Sequence, residues 1–325
     1  MIVLELPCYK ATSGGITRTI GLARRMRDKY DVQLRFQRQA EAIPDLGVPF
    51  TVGPPDATFP ACDYCITYSD TPYSYELAGL VQVNRVFIYM LSYGMAIERE
   101  RQNILNPGLV VMSSTERTRK LIEAEGVKCH NVGFGEINFS FSTLSAIGTV
   151  INNIPRKRYA ALLFHPVPNK KYELGVQVCN ELHRQGLIDG VLTFGMDCPH
   201  YQGFSHPTAL VQHFPNATRM EVSNIFSQCS VFIMPSVTEG LNMTPIESTL
   251  CGCPAVICDG AIDEIFINGA TCFIAEKNNF ENTLAYAKVI LEGNFSNNFY
   301  ENMKAILSRF TWGKTIANIE KVMGL

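Results

Sequence analysis

Residues 230–247 read SVFIMPSVTEGLNMTPIE, and residues 251–256 continue CGCPAV. Val231, Phe232, Ile233 and Met234 form an unbroken apolar run closed by Pro235, the length and composition of a strand buried on both faces. A turn containing Gly240 follows, and a helical stretch is expected to open near Pro245, since proline suits the first helical position. The segment therefore reads as strand, loop and helix. Outward from it the same unit recurs in both directions. Strands are expected near 2–6, 32–36, 64–68, 86–90 and 108–112, then near 160–164, 190–194, 209–213, 230–234, 254–257 and 272–274. Helices are expected at 15–28, 73–81, 95–104 and 115–125, between the later strands, and from about 280 to the end. Short runs of Val, Ile and Phe alternating with amphipathic stretches build parallel sheets covered by helices, so the fold class is α/β.

The length of 325 residues accommodates two such domains. The alternation breaks at 137–157, where Ser140, Ser142, Thr143, Ser145, Gly148, Asn152, Asn153 and Pro155 read as a linker. The expected organisation is an N-terminal Rossmann-like domain at 1–145, a C-terminal one at 146–300 facing it across a cleft, and a helical segment at 301–325 packing back toward the first.

Composition narrows the function. A hydrophobic content of 46% supplies large cores, and a net charge of −2 excludes a generally basic nucleic-acid protein. The runs at 86–91 and 231–234 are far shorter than a membrane span. The opening residues MIVLELP carry neither a basic region nor a cleavage signal, so the expected location is the cytoplasm and the 11 cysteines are expected as reduced thiols. Cys62 and Cys65, like Cys251 and Cys253, lack a second pair at zinc-site spacing and read as plain core or loop cysteines. No Asp-x-Asp occurs, so no metal site is expected.

Backbone N–H groups at 240–243, next to a helix N-terminus, suit a diphosphate. Carboxylates only accept hydrogen bonds, so Glu239 and Glu247 beside such a site suit the hydroxyls of a sugar or ribose. For Glu247 a competing reading stays open: Thr244, Pro245, Ile246 and Glu247 spell a capping box. Gly14 and Gly15, after the first strand, permit a close backbone approach by a ligand. Arg18, Arg24, Arg25, Arg27 and Lys29 make the following helix basic, either as a solvated face or as a docking face for an anionic acceptor.

The pattern of Pro235, Ser236, Glu239, Gly240, Pro245 and Glu247, followed by Cys251, Gly252 and Pro254, resembles the E-x7-E region of retaining nucleotide-sugar glycosyltransferases of family 4, which have the GT-B fold. Gly14-Gly15, residues 135–139, Asp263-Glu264, Asn268-Gly269 and Phe310-Thr311-Trp312 fall in the family's order. The resemblance implies that Glu239 contacts the donor sugar, that Glu247 holds the ribose, and that Gly240, Leu241 and Asn242 offer backbone N–H groups. It places Lys170 or Lys171 on the diphosphate, with His165 where an arginine is usual, so Glu239, Lys170, Lys171 and His165 form the expected catalytic set. Gly14, Gly15 and Arg18 complete the expected donor contacts.

The implied donor is a nucleotide sugar, UDP-linked first and GDP- or ADP-linked otherwise, with no tightly bound cofactor. The acceptor stays open between a glycan, a lipid-linked glycan and a modified DNA base. The family's N-domain histidine has no counterpart around Ser92, Tyr93 and Gly94. That departure keeps two alternatives in play: a catalytically silent sugar-nucleotide-binding protein and a sugar-nucleotide epimerase of the same fold.

Overall fold

The computed structural model describes residues 1–9, 14–39, 41–53, 59–68, 83–91, 97–137, 157–196, 210–261, 264–294 and 298–325. The expected helix at 73–81, nearly all of the expected linker, Ser92, Tyr93, Gly94 and Asp263 lie outside the described residues. The chain divides into two compact units, Met1–Ile137 with Phe310–Leu325 and Asn138–Arg309.

In unit 1 the strands are β1 (Ile2–Cys8), β2 (Val32–Arg38), β3 (Phe50–Val52), β4 (Cys62–Tyr68), β5 (Val83–Met90), β6 (Leu109–Ser113) and β7 (Cys129–Asn131). They form one parallel sheet in the order β3-β2-β1-β4-β5-β6-β7. Helices α1 (Gly14–Met26), α2 (Ile97–Ile104) and α3 (Glu116–Glu123) provide crossovers. Both sheet faces are covered, which explains the unbroken apolar runs. Leu4, Leu6, Leu34 and Phe36 share a core with Ile16, Ile20 and Ala23 of α1, while Val3 joins Cys65, Val86, Ile88, Ile104 and Ile122 in a second core. The short strands β3 and β7 were not expected, because three residues carry too little periodicity and the β3 side chains are exposed.

Two charges break the apolar pattern of this sheet. Glu5 and Arg35 stand opposite one another in the β1–β2 register, both buried, with 3.5 Å between Oε1 and Nε. Burial pushes the Glu5 carboxyl up to about 7, against the attraction of Arg35. The guanidinium also lies over the Phe59 ring, 4.9 Å from its centroid.

The last helix of unit 1, Trp312–Met323, contributes Ile316, Ile319 and Met323 to the α1 side of the sheet. Phe310 stacks on Phe134 at 4.3 Å, and Gly135 donates its N–H to Thr315 Oγ1 at 2.9 Å. The Trp312 ring rests where Gly21 and Gly135 have no side chain. Arg18 donates from Nε to the Phe134 carbonyl at 2.6 Å, and its guanidinium faces the rings of Phe134 and Trp312.

Unit 2 contains β8 (Tyr159–Phe164), β9 (Gly190–Gly195), β10 (Leu210–Pro215), β11 (Val231–Met234), β12 (Ala255–Cys258) and β13 (Phe273–Ala275), parallel in the order β10-β9-β8-β11-β12-β13. Its helices are α4 (Tyr172–Arg184), α5 (Arg219–Gln228), α6 (Met243–Leu250), α7 (Phe280–Leu291) and α8 (Phe299–Leu307). The apolar run at 231–234 is the strand β11, inside the sheet and buried throughout. Phe232 packs with Phe226 and Phe194 on one face, and Val231 and Ile233 pack with α4 and α7 residues on the other.

The sequence expectation ended the second domain at 300, yet α8 belongs to unit 2. Phe299 sits 5.4 Å from Phe273, and Asn302 donates to the Ala270 carbonyl, so only the chain from Phe310 returns to unit 1. Among the described cysteines none forms a disulfide, and Cys62, Cys65, Cys251 and Cys253 are buried. Among the described residues no helix is long and apolar enough to cross a membrane.

Gly135 has φ +72°, and a Cβ there would lie 2.4 Å from the Trp312 ring. Gly135→Ala should therefore lower stability by at least about 2 kcal/mol, from left-handed strain and overpacking together. Gly126→Ala, at φ +80° with nothing within 4 Å of the added carbon, should lose only the conformational part. Urea unfolding midpoints of the two variants check the difference, and equal losses would count against the Trp312 contact.

Candidate functional site

In an open parallel sheet, ligands bind beyond the carboxyl ends of the strands where the strand order reverses. In unit 2 that point lies between β8 and β11, which are adjacent and parallel. The loops leaving them, residues 165–171 and 235–242, are joined at three places. Val237 donates its N–H to the Asn169 carbonyl at 2.9 Å, and Asn169 Nδ2 donates to the Thr238 carbonyl at 3.1 Å. Lys170 Nζ pairs with Glu239 Oε1 at 2.5 Å, the two side chains only 15% and 10% exposed. From beyond β12, Gly260 presses on the second loop: a Cβ there would meet the Val237 carbonyl at 2.2 Å.

The first loop ends in a 3-10 turn, Pro168–Lys170, and Lys171 then takes left-handed φ and ψ of 49° and 40° before α4 begins. His165 Nδ1 accepts the Val167 N–H at 3.2 Å, a bond open only to an unprotonated ring nitrogen. Lys170, rather than Lys171, is the lysine turned to Glu239.

The second loop runs into α6, whose N-cap is Asn242 in extended conformation. No side chain caps this helix, and the first turn of any helix leaves its N–H groups without intrahelical partners. The Asn242 Nδ2 is itself buried without a hydrogen-bond partner. The helix starts at Met243 rather than Pro245, so Thr244 lies inside the first turn and its hydroxyl turns back to Asn242 Oδ1 at 3.5 Å. The capping-box reading of Glu247 is thereby removed, because its expected cap position is already helical. Glu247 occupies the following turn, where burial pushes its carboxyl up to about 7 despite the opposing charge of Arg219 at the start of α5.

Unit 2 thus holds Glu239, Lys170, Lys171, His165, Gly240, Leu241, Asn242 and Glu247 on two loops and one helix. Gly14, Gly15 and Arg18 belong to unit 1. The two glycines open α1, while Arg18 turns to the carbonyls of Phe134, Gly135 and Glu136. Arg24 and Arg27 similarly donate to the carbonyls of Leu46 and Gly47, which gives part of the basic helix face a structural use. Sequence reading missed Asn169, the tether between the loops, and the pairing of Lys170 with Glu239. An Asn beside a proline is an ordinary loop residue, and nothing in the spacing of residues so far apart marks a contact.

Residues 195–292 match the family model of glycosyl transferases, group 1. An uncharacterized glycosyltransferase of Methanocaldococcus jannaschii is 32% identical over 105 residues, which span 31% of this chain and 30% of the relative's length. Over the whole chain, HepE from Anabaena superposes with a TM-score of 0.72 at 14% identity, covering 100% of this chain and 99% of HepE. Sucrose-phosphate synthase from Thermosynechococcus elongatus superposes with a TM-score of 0.73 at 12% identity, covering 99% and 97%. The fold is GT-B. Among the described residues, no group of three His, Cys, Asp or Glu side chains is placed to hold a metal ion.

The raised Glu247 carboxyl has a consequence for stability. With a folded value of about 7 and an ordinary value of 4.5, the folded protein holds this proton longer, so stability falls as pH rises from about 4.5 through 7. Glu5 acts in the same window and direction. The difference between wild type and Glu247→Gln therefore isolates Glu247: the variant should gain relative stability between pH 5 and pH 8, by at most about 3 kcal/mol. Chemical unfolding at both pH values checks this, and a constant difference would remove the buried-carboxyl account.

Proposed function

We propose that this protein is a metal-independent, retaining glycosyltransferase that moves a sugar from a UDP-sugar to a glycan or lipid-linked glycan. One observation carries the reading: Lys170 and Glu239 stand on one pair of tethered loops, the second of which runs into the uncapped start of α6 and on to Glu247. In this reading the α6 N-terminus and Lys170 receive the diphosphate, where the helix dipole and the ammonium stabilise the leaving charge. Glu239 accepts hydrogen bonds from the sugar hydroxyls and Glu247 from the ribose hydroxyls. The complex of HepE with UDP and glucose supports uridine as the first nucleotide to try.

Retention follows when the acceptor oxygen bonds to the anomeric carbon on the face from which the diphosphate leaves. The bond from that carbon to the phosphate oxygen breaks, and the departing phosphate takes the acceptor's proton, so no protein base is required. Buried free thiols are in keeping with a reducing compartment, and we assign the protein to the cytoplasm.

A second reading, donor binding without turnover, is favoured by His165. Its Nδ1 is engaged by the Val167 N–H in a neutral ring, so it supplies no fixed cation where the family carries arginine. Incubation with labelled UDP-, GDP- and ADP-sugars and oligosaccharide or lipid-linked acceptors decides between the readings: transfer with retained anomeric configuration is expected, and binding without any product would establish the silent protein. Glu247→Gln should weaken the nucleotide about 10- to 100-fold through loss of charge-assisted hydrogen bonds. Turnover should survive EDTA, and inhibition reversed by a divalent ion would overturn the metal-free mechanism.

A further inference from the structure

We propose that the Lys170–Glu239 ion pair discriminates the sugar-bearing donor from the spent nucleotide, acting as an internal competitor for the diphosphate. The inference rests on the donor-site reading above and adds to it a preference for donor over product. Its basis is geometric. The ammonium that is to receive the diphosphate is already held at 2.5 Å by a carboxylate, and neither side chain is free to swing into bulk water, both being nearly buried between loops fixed by Asn169 and Gly260.

A diphosphate that draws Lys170 toward itself takes the cation away from Glu239. The carboxylate then stays nearly buried beside added negative charge with this cation withdrawn, and taking the counter-ion from a buried charge is strongly disfavoured. A sugar attached to the diphosphate restores what was lost, because its hydroxyls donate hydrogen bonds to Glu239. The intact donor therefore compensates Glu239, whereas a bare nucleoside diphosphate does not. Product is held less tightly than donor by the same pair of residues, so the site empties after transfer and product inhibition is restrained. Asn169 is a positioning residue in this scheme, since its amide and carbonyl hold the lysine loop against the glutamate loop.

Titration calorimetry on wild type, Glu239→Gln, Lys170→Met and the double variant tests the proposal. UDP, GDP, ADP and their glucose conjugates serve as probes, and the nucleotide that wild type selects is used throughout. The expected result is that Glu239→Gln binds the bare diphosphate several-fold more tightly than wild type and the sugar conjugate more weakly. The gain for the bare diphosphate should shrink in the Lys170→Met background, because there is no lysine left to release.

An equal or larger gain in that background would assign the effect to removal of a negative charge alone and overturn the pair as competitor. Unchanged diphosphate affinity in Glu239→Gln would overturn it as well, while leaving the donor site standing. Absence of binding by every probe would overturn the donor-site reading and this inference with it. Melting temperatures of all four proteins confirm that each is folded.

Discussion

Parallel strands cannot be joined by tight turns, so each must be followed by a crossover before the next strand can pair. That constraint organises both units. Every loop that leaves the carboxyl end of a strand emerges on the same edge of its sheet, and helices begin there with their N–H groups facing outward. In unit 2 the strand order reverses between β8 and β11, which separates the two following helices and leaves room between their starts. The loops at that gap are held by contacts that owe nothing to a ligand: the Val237 N–H to the Asn169 carbonyl, the Asn169 side-chain amide to the Thr238 carbonyl, and Gly260 against Val237. Side chains at this point inherit the rigidity of the sheet.

Charge is treated differently in the two units. Glu5 is buried in the sheet of unit 1 with Arg35 beside it, the two opposite one another in the β1–β2 register and away from solvent. Glu247 is raised to a similar value, but it remains partly accessible, and its opposing cation acts from the start of a different helix. A carboxylate so weakly compensated lowers the stability of the folded protein as pH rises from about 4.5 through 7. Lys170 and Glu239 are the complementary case, a nearly buried pair of opposite charges in contact.

The architecture was legible because burial on both sheet faces forces unbroken apolar runs, as at 2–6, 86–90 and 231–234, and those runs became β1, β5 and β11. Strands of three residues such as β3 and β7 carry no such signal. The end of the second unit was placed too early because a helix that packs on its own unit and one that returns to the other have the same periodicity. What separates α8 from the last helix is which surface each covers, and Trp312 needs the space left by Gly21 and Gly135, a match between distant positions. At the site, Glu239 and Glu247 stood out through their spacing, while the helix start two residues early depended on the extended backbone of Asn242. The lysine–glutamate contact depends on two loops meeting, information held in the fold rather than in either segment.

Unit 1 is discontinuous in the chain, with all of unit 2 inserted between Ile137 and Phe310. During vectorial synthesis its sheet is therefore made first and its last helix only after all of unit 2 has been synthesised. At typical elongation rates of about 5–20 residues per second, that delay is on the order of ten to thirty seconds. Throughout it the surface later covered by Ile316, Ile319 and Met323 lies bare on the nascent chain. Completion of the first unit thus waits on a segment made after the whole of the second: the Trp312 helix closes over a sheet synthesised long before it.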